Sequence, residues 1–570
     1  MIPGRQLRSG AQLVVDQLLS EGVETAFCVP GESYLGVLDA LYDSDINLVT
    51  CRHEGGAGYM ANAYAKITGK VGVCMVTRGP GAANAMIALH AAYQDSVPLV
   101  LLVGLIPRGH THRESFQEFD LNGWFGTTTK NVLHIEQAER GPEIISRAFA
   151  LAKSGRHGPV VVGLPEDMLR ELAATGAAPS IRIVEAAPAG AALDELSRLL
   201  AAASRPLVIL GGGGWTSEAS LFVQEWAERN VLPVAVEFNA LDLIDHESPS
   251  YIGTLGYGRS EQTAEALSGA DLVIGIGSPL GDVSTDSWKL LSVGQTGTDV
   301  VTILPDADGR GSAHLNALRI VSSVPAVAAA LNQLPVPRRA WREYAHNLRR
   351  GHEQRRRLEP TGGELDLNVV FDQLQQALPV DAIITWGAGN HAGWAKKYLR
   401  WRSYPTLLAP RNGSMGYGVP AAVAAAIAHP ERQVVSVAGD GCFLMNGQEL
   451  AVAVAQKVAP VIIVLNNSMY GTIRAHQERY FPFRVSGTDL TNPDFAAFAV
   501  AFGGQGEVVE STAEFLPALR RALAAGVPAV VELRLGSTRT STEATIEQLR
   551  LDAARGCADP QPAQLSVLPP

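Results

Sequence analysis

The chain has 570 residues, 46% of them hydrophobic and 18% charged, with a formal net charge of -11. Those figures exclude a disordered chain and a single core, and they point to two to four globular domains. The negative balance argues against a general nucleic-acid or anionic-membrane binder, and no charge-free apolar span is long enough to predict a membrane helix.

The first stretch, MIPGRQLRSGAQLVVDQLLSEGVE, predicts a short amphipathic helix carrying Asp16 and Glu21, without the apolar block of a signal peptide. Strands follow at TAFCVP, GVCMVT, LVLLVG and PVVVGLP, giving a first domain over residues 1–180. The linker-like AATGAAPSIRIVEAAPAGAA leads to a second domain, 190–335, with strands at PLVILGGGG, LPVAVEF, DLVIGIG and DVVTILP. A basic helix ending in a turn, LPVPRRAWREYAHNLRRGHEQRRRLEPTGGE, reads as a second linker. The third domain, 365–545, holds DAIITWG, QVVSVAG, APVIIVLNN and PAVVELRL, and residues 546–570 read as a tail. β-rich and Ala/Leu-rich runs alternate throughout. This predicts the α/β class, with three doubly wound parallel-sheet domains. The five cysteines are scattered and form no CxxC pair, which suits reduced thiols in a cytoplasmic protein and argues against structural zinc.

The first and third domains look like copies of one plan. Val76 to Pro98 and Ala438 to Pro460 are both 22 residues apart, at a constant offset of 362, and Gly79 maps onto Gly441. Ordinary βαβ spacing explains the length; an internal duplication also explains the coincident glycines.

One stretch carries most of the chemistry. AGDGCFLMNGQELAVAVAQKVAPVIIVLNN, Ala438 to Asn467, is a strand ending on Gly-Asp-Gly, a helix from about Leu444, and a strand ending on Asn-Asn. Gly, Asp and Asn are poor strand residues. A right-handed βαβ unit brings both strand ends to one sheet edge, where ligands of open α/β sheets bind. Asp440 and Asn467 offer hard oxygen donors there, and Gly439 and Gly441 allow close backbone approach. The set suits Mg²⁺ together with a phosphate.

This stretch resembles the fingerprint of thiamine-diphosphate enzymes that begins GDG and ends NN, and the similarity extends over nearly the whole chain to acetolactate synthase and its relatives. The resemblance implies a pyrimidine-binding domain, a Rossmann-like middle domain and a diphosphate-binding domain, in that order. It implies Asp440, Asn467 and the Met469 backbone oxygen as Mg²⁺ ligands. Gly389, Asn390 and His391 of WGAGNHAGW would flank the diphosphate, together with Gly439, Gly441, Cys442, Tyr470 and Gly471. Pro30, Gly31, Thr77, Pro80 and Asn84 would surround the pyrimidine. Glu54 of CRHEGGAGYMANAYAKITG would exchange a proton with the coenzyme ring, which activates C2. Met415 of RNGSMGYGVPAAVAAAIAHP would wedge the coenzyme into its bent form, and the Gly413 carbonyl would accept from its amino group. Phe116 and Gln117 of ESFQEFD would contact the substrate-derived carbanion. The family also implies a homo-oligomer, with the first domain of one subunit facing the third domain of another.

The pattern departs from the synthases in three places. They read Pro-Lys-Asp where this chain has Pro165-Glu166-Asp167, so a cation becomes an acid. SMYGTIRAHQERYFPFRV has His476 where a specificity Trp belongs, and with Arg474 this makes the substrate side more polar. In the middle domain Gly211 to Gly214 could cradle a dinucleotide pyrophosphate, yet GIGSPLGDVSTDSW lacks the family's arginine, so FAD stays open. The expected function is decarboxylation of a pyruvate-like 2-oxo acid with carboligation to an acceptor. A decarboxylase, a C–C lyase or an acetyl-transferring relative is the alternative. A catalytically silent homologue would be expected to lack Glu54 or Asp440, and both are present.

Overall fold

The computed structural model describes residues 7–556 apart from 295, 309–312, 315–316, 335–339, 537–538 and 543. The tail from 557 onward and the Pro-Val-Pro-Arg-Arg of the second linker therefore lie outside the described residues. What is described contains three six-stranded sheets, each wholly parallel. The α/β reading of the alternation therefore holds.

The first sheet is built from β1 (Thr25–Cys28), β2 (Asn47–Thr50), β3 (Gly72–Val76), β4 (Leu99–Leu105), β5 (Asn131–His134) and β6 (Pro159–Pro165), in the order β2-β1-β3-β4-β6-β5. The middle sheet has β7 (Pro206–Leu210), β8 (Val234–Val236), β9 (Tyr251–Thr254), β10 (Leu272–Ile276), β11 (Asp299–Leu304) and β12 (Ala317–Val321), ordered β9-β8-β7-β10-β11-β12. The third has β13 (Ile383–Trp386), β14 (Leu407–Leu408), β15 (Val434–Gly439), β16 (Val461–Asn466), β17 (Gln505–Val509) and β18 (Ala529–Arg534), ordered β14-β13-β15-β16-β18-β17. The first and third orders are the same permutation, which supports duplication over coincidental spacing. Central strands such as β3 and β10 are buried along their whole length, because helices cover both faces of a parallel sheet.

The chain divides into two compact units. One runs from the N-terminus to Glu185 and includes Pro410–Pro430 and Asn446–Val458; the other comprises Ala186–Ala409, Glu431–Met445 and the chain from Ala459 on. In the first unit, the core gathers Val14, Leu18, Leu102, Phe149 and Val162. Its helix Glu54–Thr68 starts at His53, whose side chain accepts from the Gly55 amide, and stops at Gly69 with φ +71°. Small residues let this helix approach its neighbours closely: a Cβ on Gly58 would stand 2.5 Å from Ala88 Cβ. The Ala-rich helix Gly418–Ala428 packs on it as well.

In the second unit one core runs through the middle and third sheets and includes Trp226, Trp341, Phe371, Trp386 and Trp401. The basic linker helix forms at Arg342–Arg355, and Arg349 donates to the carbonyls of His246 and Tyr251 at 3.0 Å each. It is thereby tied to the middle sheet. Part of the expected tail is also ordered: Ile546–Gly556 is helical.

The expected helix after Gly-Asp-Gly is not continuous. Asp440–Phe443 makes one turn, Gly447–Glu449 is 3₁₀, and Leu450–Ala455 is a separate short helix. Its counterpart after β3, Pro80–Asp95, is unbroken.

Candidate active site

The carboxyl edge of the third sheet brings three predicted segments together: 389–391 after β13, 439–442 after β15, and 467–472 after β16. Asp440 is 2% exposed. Its Oδ1 accepts from the Gly441 amide at 2.9 Å and its Oδ2 from Asn492 Nδ2 at 2.7 Å. Burial raises its pKa against those bonds and against the amides of Ser468 and Met469. A carboxylate so desolvated gains from a cation. Asn467 Oδ1 accepts from the Met469 amide at 3.3 Å, which folds the loop so that 469 follows the two side chains closely. The glycines here are required by neighbours. A Cβ on Gly441 would stand 2.5 Å from the Tyr470 ring, and one on Gly439 would stand 3.0 Å from His391 Nδ1.

The His391 imidazole is buried, and its Nε2 has no hydrogen-bond partner. Burial, and then the neighbouring Lys396, push it down to about 3, so it is neutral near pH 7. Asn390 is fixed beside it: its amide donates to Thr472 Oγ1 at 3.0 Å and its Nδ2 to the Thr540 carbonyl at 2.9 Å. An imidazole nitrogen and an Asn492 Oδ1 without partners, with a buried carboxylate bonded to Asn492, are the kinds of group that fit a magnesium diphosphate. Among the described residues no cluster of three His, Cys, Asp or Glu could hold a metal. A site of one carboxylate, one amide oxygen and one backbone oxygen is not such a cluster.

The sequence reading missed Asn492. It bridges Asp440 to Asn466 Oδ1, at 2.9 Å from the latter, and it lies in Thr-Asn-Pro-Asp-Phe with no local pattern to mark it.

Downstream, Arg474 is already engaged. Its Nε donates to Glu478 at 2.8 Å and its Nη1 to Asp489 at 3.3 Å. Glu478 also takes both donors of Arg550 at 2.7 Å, so the terminal helix is latched to Gly471–Tyr480. Arg550, helped by Arg474, pulls the Glu478 pKa down to about 2. His476 stacks on Tyr480, and burial lowers its pKa.

The first unit carries the other predicted group. Glu54 opens its helix, and Asn84 Nδ2 donates to its Oε2 at 2.9 Å. The Thr77–Gly81 loop lies alongside: a Cβ on Gly81 would stand 3.3 Å from Glu54 Oε1. Gly31 packs on Thr77, and Ser33 and Thr77 share a 2.9 Å hydrogen bond, which ties the Pro30–Gly31 loop to this edge. Pro80 sits in the first turn of its helix, where its missing N–H costs nothing. Gln117 adopts φ +62°, and its carbonyl stands 2.9 Å from a Cβ built on Gly79; Phe116 beside it is exposed. Gly413 has φ +67°, and Tyr59 Oη donates to the Met415 carbonyl at 3.5 Å. Thus Pro30, Gly31, Glu54, Thr77, Pro80, Asn84 and the 116–117 pair share one sheet edge.

Glu166 does not stand as a free acid. It pairs with Arg170, and Arg78 Nη1 lies 3.6 Å away; Arg78 is itself buried and reaches toward Glu32 at 3.8 Å. The charge change at 166 is balanced within the fold.

In the middle sheet the glycine loop after β7 packs on a buried side chain of its own fold. A Cβ on Gly211 would collide with the Glu237 carboxylate, which is 2% exposed and accepts from Ser278 Oγ at 2.5 Å and Ser284 Oγ at 3.1 Å. The glycine at 211 is thus required by the buried Glu237 side chain packed against it.

Three family profiles match the chain: thiamine pyrophosphate enzyme N-terminal TPP binding domain over residues 8–124, central domain over 193–331, and C-terminal TPP binding domain over 387–533. The chain is 33% identical to acetolactate synthase isozyme 2 large subunit of Escherichia coli, over 88% of this chain and 90% of that protein. It is 31% identical to acetolactate synthase of Mycobacterium bovis, over 93% and 89% respectively. The mitochondrial acetolactate synthase catalytic subunit of Saccharomyces cerevisiae is 28% identical over 92% of this chain and 80% of its own. With three matching domains and a relative 33% identical over most of both chains, the chain belongs to the thiamine-pyrophosphate enzyme family and is an enzyme of its acetolactate synthase-like branch.

Proposed function

We propose that the chain uses thiamine diphosphate and Mg²⁺ to decarboxylate a pyruvate-like 2-oxo acid and to pass the two-carbon unit to an acceptor. The coenzyme, when bound, supplies a C2 carbanion that adds to the substrate carbonyl and accepts its electrons on loss of CO₂. Asp440, Asn467 and the Met469 carbonyl hold the metal. Gly389, Asn390, His391, Gly439, Gly441, Cys442, Tyr470 and Gly471 receive the diphosphate. Glu54 holds or releases a proton at the pyrimidine, steadied by Asn84. Met415 and Gly413 set the coenzyme's bend, and Phe116 and Gln117 stand on the substrate side. The observation that carries this reading is the buried Asp440, ringed by donors, with the buried His391 packed against the adjoining Gly439.

The relatives' name as acetolactate synthases favours carboligation. A simple decarboxylase or C–C lyase is the second reading, favoured by Arg474 being occupied by Glu478 and Asp489 and so not free to grip a second acid. The domain limits are 1–180, 190–335 and 365–545. The assembly is a homo-oligomer of at least two chains, with catalytic groups contributed by both. No helix of the described residues is long and apolar enough to cross a membrane. Cys28, Cys51, Cys74 and Cys442 are buried and outside any disulfide among the described residues, which favours a reducing, cytoplasmic setting.

Calorimetry with thiamine diphosphate and Mg²⁺ tests the coenzyme, and product analysis from pyruvate tests the reaction. Acetolactate supports the carboligase; acetaldehyde alone supports the decarboxylase; no uptake of the coenzyme refutes both.

A further inference from the structure

Glu449 lies inside the Asp440–Asn467 stretch, but the roles assigned above leave it unused. Its side chain is wholly buried. Its carboxylate accepts from the Arg52 amide at 3.2 and 3.3 Å and from the His53 amide at 3.0 Å. Those two residues immediately precede Glu54, the first residue of helix Glu54–Thr68. Amides at a helix start have no partner within the helix, so an external acceptor fixes the turn. The same carboxylate fills the space over Gly56, where a Cβ would stand 2.5 Å from its Oε1. On the near side, His53 Nδ1 accepts from the Gly55 amide at 3.0 Å. Three amides around Glu54, those of Arg52, His53 and Gly55, are thus held by two side chains, Glu449 and His53.

We propose that Glu449 is the positioning residue for Glu54: its carboxylate clamps the Arg52–His53 turn and so sets where Glu54 presents its own carboxyl. The role rests on the coenzyme reading above. The groups facing Glu449 are Arg52, His53 and Glu54 of the turn, with Cys51 behind them; its own segment adds no other charge between Asn446 and Gln456. Burial pushes the Glu449 carboxyl up to about 7, opposed by the two amides and by Arg52, and reinforced by Glu54. The ionised form accepts both amides, whereas a protonated oxygen must donate. The clamp is therefore complete above pH 7 and loosens as the pH falls through it.

The test uses the full chain loaded with thiamine diphosphate and Mg²⁺, reading deuterium exchange at coenzyme C2 by NMR on both sides of pH 7. In Glu449→Gln the exchange slows about 10- to 100-fold, the usual result of misplacing a reacting group. The limb of its pH profile near 7 also disappears, because glutamine does not titrate. Coenzyme affinity by calorimetry stays within about threefold, because binding is carried elsewhere. Glu449→Asp keeps a titrating limb while exchange slows, since the shorter chain draws back from the amides. A Glu449→Gln profile that retains the limb, even at lower amplitude, reveals mere packing and overturns the proposal. If Glu449→Gln does not fold, Glu449→Asp decides, and exchange at the unaltered rate overturns it. A native chain that takes up no coenzyme sinks the functional reading first, before any variant is compared, and the proposal with it.

Discussion

The first and third sheets share one strand order, yet the ends of their central strands carry opposite chemistry. After β3, Thr77-Arg78-Gly79 leads into the unbroken helix Pro80–Asp95, whose Asn84 steadies an acid on a neighbouring helix. After β15, Gly439-Asp440-Gly441 leads into a single turn, and the aspartate itself stays at the edge among backbone and amide donors. The shared topology decides where a ligand meets each sheet, at the carboxyl edge. The side chains placed there differ: a carboxyl held by Asn84 at one edge, where we propose proton exchange, and the buried Asp440 at the other, where we propose the metal and diphosphate. In the middle sheet the corresponding glycine loop packs on the buried Glu237, which accepts from Ser278 and Ser284.

The sharpest way to break the contrast is to remove the acid. Glu54→Gln should slow C2–H exchange by roughly 10²–10⁴-fold while calorimetry still shows coenzyme uptake. An unchanged exchange rate would dissociate the first sheet from activation. Asp440→Asn should act on the opposite property. Mg²⁺ and coenzyme affinity should fall by about 100-fold or more, seen by titration before any turnover is measured.

A smaller effect is expected where the third sheet's loops are latched. Arg550→Ala removes two 2.7 Å bonds to Glu478 and should cost about 2 kcal/mol of local stability, the scale of charge-assisted bonds. Faster proteolysis of the Ile546–Gly556 helix reports it. The Glu478 pKa is lowered from 4.5 to about 2. The latch is therefore fully present above pH 4.5 and is lost as the pH falls through about 2, so protection in the native chain should fade over that window.

The smallest effect belongs to the first sheet. Glu166→Lys would set a cation against Arg78 and Arg170 and should lower the melting temperature by a few degrees, on the order of 1 kcal/mol for a partly exposed site. It should not restore synthase-like substrate preference, because Arg78 now occupies that neighbourhood. A gain in affinity for a second 2-oxo acid would contradict that view.

Much of this was legible in the order of residues alone. Alternating apolar runs dictate parallel layers, because a strand covered on both faces must be hydrophobic throughout. Gly-Asp-Gly and Asn-Asn at strand ends betray a ligand edge, because neither suits a sheet interior. Such signals are local, and local propensity and spacing express them directly. Tertiary contacts decided the rest. Asn492 reaches Asp440 from 52 residues away, and Glu449 meets Arg52 across 397. Glu166 finds its counter-charge on another strand's loop, at Arg78. The four-glycine loop gives no sign in sequence of Glu237, which packs against Gly211. No pattern of neighbours along the chain encodes such pairs. They arise only when a buried charge must find a partner, and folding brings that partner from a distant segment.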